Sequence, residues 1–211
     1  MFDYLHLYNT RDRWAVGCAD LLLAAATTGA RWSPPKRVVP SAHKILLLRM
    51  ERIGDLLMAV PAITALRTRA AGAELHLVVG SWNEELARLI PGVTRIETLD
   101  PRWLSRDTPG ASTLELIRRA AKWRATGFDL AVNFEPDIRT NGLLALSGAP
   151  HRVGFHSGGG GAFLTRALPY DTTAHTTANA LRLVDTIFPG SAAKAGNATV
   201  QEFACLDVPE E

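Results

Sequence analysis

KILLLRMERIGDLLMAVPAITALR, residues 44–67, sets the architecture of this chain. It opens on a short continuous apolar run, Ile45 to Leu48. Such a run suits a strand buried on both faces of a parallel sheet. A polar loop follows, and residues 55–69 then carry apolar side chains at helical spacing. Pro61 lies inside that stretch and removes a backbone donor, so a kink or a restart is expected there.

The same alternation continues downstream. Strands are expected at 75–79, 95–99, 129–134 and 152–155, and helices at 83–89, 112–124, 139–146 and 177–187. Strands alternating with helices imply right-handed crossovers, hence an α/β doubly wound parallel sheet of the Rossmann-like kind. Upstream, residues 32–43 (WSPPKRVVPSAH) hold three prolines and no periodicity, so they read as a linker. Residues 14–29 read as an amphipathic helix that packs on the domain or rests on a membrane surface, because Asp20 would be costly near the middle of a span. The expected organisation is a helix and linker over 1–43, one Rossmann-like domain over 44–190, and a small, polar, acidic tail over 191–211.

In a doubly wound sheet, ligands bind at the carboxyl ends of the strands, where crossover direction reverses. The informative loops are therefore 50–54, 80–82, 135–138 and 156–161. The first of these has neither the glycine spacing of a dinucleotide-binding turn nor a lysine-bearing phosphate loop. Instead, Gly54 precedes Asp55 at the mouth of a helix. Gly54 permits a tight turn or close approach of another molecule. Asp55 can take a proton from an attacking hydroxyl as a general base, or it can cap the helix. Arg49, Arg52, Arg139 and Arg152 fall at strand ends or loops, where planar guanidinium groups match carboxylates and phosphates. Surface ion pairing is the alternative role for each. Asn133 and Glu135 end the fourth core strand, and Glu135 is the second candidate for handling a proton. Trp82 could stack on a sugar ring or plug the core. The glycines at 158–161 read as a loop tip, with close approach of a substrate as the other option.

Residues 44–67 resemble the opening strand, loop and helix of the family 9 glycosyltransferases, the lipopolysaccharide heptosyltransferases. FDLAVNFEPDIRTNGLLALSGAPHRVGF (128–155), HSGGGGAFLTRALPY (156–170), His175 and Asn179 extend the likeness in order, to about Pro189. The resemblance implies that Asp55 is the catalytic base of an inverting transfer of a heptose from a nucleotide sugar, ADP-heptose, to a lipopolysaccharide core acceptor. The acceptor in that family is rich in carboxylate and phosphate, so Gly54, Arg49, Arg52, Glu135, Arg139 and Arg152, from their places at strand ends and loops, are the acceptor-side candidates. The resemblance further implies a two-domain GT-B-type enzyme of which this chain is the N-terminal half, the C-terminal donor domain being absent from the 211 residues. No metal is expected, since no Asp-x-Asp pair occurs.

Composition agrees with these expectations and excludes others. The net charge of +2 gives no strong field for nucleic acid, although residues 1–70 carry ten Lys or Arg against five Asp or Glu. That basic side suits phosphates or peripheral contact with an inner membrane. Two cysteines without ligand spacing, Cys18 and Cys205, suit a reducing, cytoplasmic setting. Two further function classes stay open: a non-catalytic acceptor-binding module lacking the donor domain, and a nucleotide-dependent oxidoreductase, which the missing glycine fingerprint disfavours.

Overall fold

The computed structural model describes residues 5, 10–29, 42–105 and 109–188. Helix α1 spans Thr10–Gly29. The core then runs β1 (Lys44–Leu48), α2 (Ile53–Arg69), β2 (Glu74–Val79), α3 (Glu84–Arg88), β3 (Val93–Thr98) and α4 (Thr113–Lys122). It continues with β4 (Leu130–Asn133), α5 (Ile138–Leu146), β5 (His151–Phe155), β6 (Arg166–Leu168) and α6 (Thr176–Ile187). Single 3-10 turns lie at Ser81–Asn83, Trp123–Thr126 and Gly161–Phe163.

All six strands are parallel, in the order β3-β2-β1-β4-β5-β6. Alternate residues of β1 feed opposite layers, as the pleat requires. Ile45 and Leu47 join Leu56, Val60, Ile63 and Leu66 of α2 and Leu183, Val184 and Ile187 of α6. Leu46 and Leu48 face Leu116 and Ala120 of α4 and Leu143 and Leu144 of α5. Helices thus cover both faces, and a strand with water on neither side has no polar position to alternate. The expected doubly wound α/β sheet is the one observed.

Three expectations need revision. Helix α2 runs unbroken through Pro61. The carbonyl that Pro61 cannot satisfy belongs to Leu57, which is exposed to water, so no restart is required. The short edge strand β6 escaped the sequence reading because Arg166–Leu168 offers no apolar run. The glycines at 158–161 are not a free loop tip. A Cβ on Gly158 would lie 1.6 Å from the Pro136 carbonyl oxygen, and one on Gly159 would lie 2.4 Å from Val16 of α1.

Helix α1 packs on that glycine loop, and the Gly160 amide donates to Oδ1 of Asp20 at 2.7 Å. Its packing role is therefore seen directly, while Trp14, Leu21 and Leu22 remain exposed. No helix among the described residues is long and apolar enough to cross a membrane. Of the linker expected over 32–43, residues 32–41 lie outside the described residues, as does the tail from residue 191.

Candidate functional site

Strand order reverses between β1, which leads toward β2 and β3, and β4, which leads toward β5 and β6. The loops leaving β1 and β4 therefore splay apart and open a crevice at the carboxyl edge. Asp55 stands at this crevice in the first turn of α2, its side chain 35% exposed. Two contacts hold the carboxylate. The Arg52 amide donates to one oxygen at 3.2 Å, and an Arg49 guanidinium nitrogen lies 3.4 Å from the other. Asp55 is not the N-cap, which is Arg52, but the third helical residue: its one bond to the Arg52 amide serves the helix start, and the carboxylate still meets solvent.

Gly54 sits inside that first helical turn without a positive φ, so no tight turn demands it. The space where its Cβ would stand is open. Close approach of another molecule is the property that survives. Arg52 and Ile53 beside it are exposed.

Arg49 departs from its expected place on the surface. It is 3% exposed and works as an internal clamp. Its Nε donates to the Asp55 carbonyl at 3.0 Å, and one terminal nitrogen donates to the Phe134 carbonyl at 2.8 Å while lying 2.8 Å from a Glu51 carboxylate oxygen. One guanidinium therefore ties the ends of β1 and β4 to the start of α2. Its donors are spent on the protein, and direct contact with an acceptor is not open to it as it stands.

Glu135 is also withdrawn from the surface, at 1% exposure. Its Oε1 accepts a short hydrogen bond from the Met50 amide. Burial, and then the nearby Glu51 carboxylate, push its carboxyl up to about 8, outweighing Arg49 and the Met50 amide. Burial thus favours the protonated form of Glu135. Glu51 is raised too, by burial first and then by Asp55 and Asp137, against the pull of Arg49. Neither Glu51 nor Asp137 was singled out from sequence. Both lie in the loops after β1 and β4, and only the pairing of those strands brings their carboxylates together.

Beneath the crevice, buried amides lock the frame. Asn133 donates to Thr140 and Asn141, each at 2.8 Å, and its Oδ1 accepts from the Glu135 amide at 3.0 Å. Asn141 in turn donates to the carbonyls of Phe155 and Gly159, both at 2.9 Å. Asn133 thus supports the crevice without lining it.

Arg139, at the start of α5, remains at the rim. Asp137 caps the helix by accepting from the Arg139 amide at 2.7 Å and also pairs with its guanidinium. The same guanidinium lies 4.4 Å above the Trp103 ring. Trp82 is exposed and donates to the Glu51 carbonyl at 2.7 Å, so it does not plug the core.

Arg152 falls at the opposite end. It is the second residue of β5, pairs in register with Ala131, and is buried with donors on the Phe163 and Ala149 carbonyls. Its expected place beside the crevice is wrong, because the strand's beginning, not its end, carries it. Burial also pulls its pKa down to about 10. His151 sits at that same end, lowered by burial and then by Arg152. His175 caps α6, its Nδ1 accepting from the Thr177 amide at 3.2 Å. The crevice thus gathers Arg52, Gly54, Asp55 and Arg139 at its mouth, with Arg49, Glu51 and Glu135 behind them.

These features define a Rossmann-like α/β unit with an open, charge-lined crevice at its switch point. No protein-family model matches the sequence, and no curated protein sequence matches it. Solved structures do. Heptosyltransferase II of E. coli, an ADP-heptose lipopolysaccharide heptosyltransferase, is 18% identical with a TM-score of 0.59, over 80% of this chain and 44% of its own. E. coli heptosyltransferase WaaC, solved with ADP-2-deoxy-2-fluoro heptose, is 16% identical with a TM-score of 0.56, over 69% of this chain and 48% of its own. A family 9 glycosyltransferase from Veillonella parvula is 19% identical with a TM-score of 0.56, over 70% of this chain and 42% of its own. The likeness is one of fold, to the same group that residues 44–189 resemble in sequence. The chain spans less than half the length of each of these structures.

Proposed function

We propose that this chain is the acceptor-side unit of a heptosyltransferase-like glycosyltransferase, with Asp55 as general base. In this reading an acceptor hydroxyl on a lipopolysaccharide core enters over Gly54. Asp55 removes its proton as the oxygen attacks the anomeric carbon of a nucleotide-bound heptose. The new C–O bond forms as the bond to the diphosphate breaks, which inverts the sugar. The donor is ADP-heptose, held by a second unit across the crevice, and no metal is required. Arg52 and Arg139 face the acceptor's carboxylates and phosphates. Arg49 orients the base from behind. The setting is the cytoplasmic face of the inner membrane, against which the exposed Trp14, Leu21 and Leu22 of α1 could rest.

One observation carries the reading: a solvent-reachable carboxylate, braced on one side by a buried guanidinium, stands at the switch point of the sheet. General-base catalysis contributes about 10²–10⁴ in rate, and Asp55→Asn keeps the size and the capping oxygen while abolishing the base. In the protein completed by its donor-binding partner unit, Asp55→Asn should lose transfer by about that factor and unfold within about 1 kcal/mol of the parent. Transfer by the variant at more than a tenth of the parent rate would exclude the role. Calorimetry on the chain alone separates the two sides: phosphorylated core oligosaccharide should bind, and ADP should not. Micromolar binding of ADP would reverse the assignment.

A further inference from the structure

A second polar cavity lies away from the crevice. It has a volume of about 350 Å³ and is lined by His76, Arg95, Glu97, Arg119, Lys122 and Trp123 among others. Its floor is the β2–β3 edge of the sheet, where His76 and Arg95 stand side by side in register. Its wall is α4 and the turn that follows. The volume falls at the small end of ligand pockets. Both His76 and Arg95 sit mid-strand, and β2 intervenes between β3 and the β1–β4 switch point. The cavity therefore does not belong to the proposed catalytic site.

The charges of this lining are unequally satisfied. Glu97 is fully engaged: Trp123 donates to one oxygen at 2.9 Å, and Arg119 reaches the other at 3.3 Å. Burial alone would raise its pKa, but His76, Trp123 and Arg119 together hold it below the usual carboxylate range. Arg119 is engaged as well, donating to the Thr98 carbonyl at 2.7 Å. Arg95 and Lys122 are exposed and make no ion pair among the described residues. Three cations therefore face one carboxylate that is already neutralised.

His76 supplies the second, independent observation. It is 5% exposed, packed against Phe128 with ring centroids 5.4 Å apart. Its Nε2 comes within 3.3 Å of Glu97, yet neither ring nitrogen makes a hydrogen bond of good geometry. A buried imidazole nitrogen left without a hydrogen bond is costly, and a water, an ion or a ligand can complete it.

We propose that this cavity binds a phosphoryl group carried by a small molecule. The surplus of two positive charges matches a dianion. The cations come from different elements, Arg95 from β3 and Lys122 from α4, and so meet oxygens pointing in different directions. A tetrahedral phosphate satisfies that arrangement, while a planar carboxylate fits a single fork. His76 lines the same cavity, with hydrogen-bonding capacity at its ring that the protein leaves unused.

Titration of the full chain with inorganic phosphate, followed by ¹H–¹⁵N correlation spectra, tests this. The Trp123 indole N–H and the His76 amide should shift saturably. Arg95→Gln combined with Lys122→Gln, both at exposed positions, should weaken the apparent affinity at least about tenfold with the rest of the spectrum preserved. Acetate at equal ionic strength should bind at least about tenfold more weakly. Absence of a saturable shift at Trp123, an affinity unchanged in the double variant, or an equal response to acetate would each overturn the assignment. None of these outcomes touches the role of Asp55.

Discussion

Replacing Glu135 by glutamine should flatten the pH dependence of folding stability. The folded chain holds this carboxyl at about 8, against an ordinary value of 4.5. At about 1.4 kcal/mol per pH unit, the full difference corresponds to about 5 kcal/mol. Between those two values the unfolded chain has released a proton that the folded chain keeps. Folded protein therefore binds more protons, and stability falls as pH rises. The contribution of Glu135 is complete below about pH 4.5, declines through the neutral range, and levels off above about 8. Glu51 shares the field of Arg49 and spreads the titration over the pair, so the part assignable to Glu135 is about 2–5 kcal/mol. Glutamine keeps the oxygen that accepts from the Met50 amide and has no proton to lose. Urea unfolding of both proteins, repeated from about pH 5 to about pH 8.5, gives the comparison. Relative to Glu135→Gln, the parent should lose at least about 2 kcal/mol over that range. Parallel profiles would refute the account of Glu135 as a buried, protonated carboxyl.

Other perturbations follow from single contacts. Arg49→Met leaves Glu51 and Asp55 crowded without their shared cation and frees the Phe134 carbonyl; it should cost about 3–5 kcal/mol in urea unfolding, and a change under about 1 would mean the clamp is dispensable. Gly158→Ala sets a methyl 1.6 Å from the Pro136 oxygen and should lower thermal stability by at least about 2 kcal/mol, whereas an unchanged midpoint would show that the loop yields freely. Asp20→Ala removes the acceptor of the Gly160 amide, so exchange of that amide should quicken about tenfold; unaltered exchange would show that α1 is not anchored there.

Much of this molecule is legible along the chain. Ile45–Leu48 and Leu130–Val132 are apolar without alternation because helices bury both faces of the sheet there. That pattern, alternating with helical segments, implies parallel strands and hence a switch point. The loop bearing Asp55 could likewise be located, because in such sheets the carboxyl ends of the strands are where ligands fit. Direction and depth are another matter. Arg49 and Arg52 stand three residues apart, and one is a buried clamp while the other meets water. The difference arises because the Phe134 carbonyl and Glu51 close around Arg49, and that closure depends on β4 lying beside β1. The Glu135 carboxyl is raised for the same reason: its neighbours Met50 and Glu51 come from the loop after β1, some 85 residues away. Arg152 shows the converse, since a residue near a loop in sequence belongs to whichever end of the strand it occupies. His76 and Lys122 share a cavity although nothing in their sequence surroundings connects them. Hydrophobic periodicity is a local property and survives translation into one dimension. Electrostatic environment depends on distance in space and on the exclusion of water, and both exist only once the layers have packed.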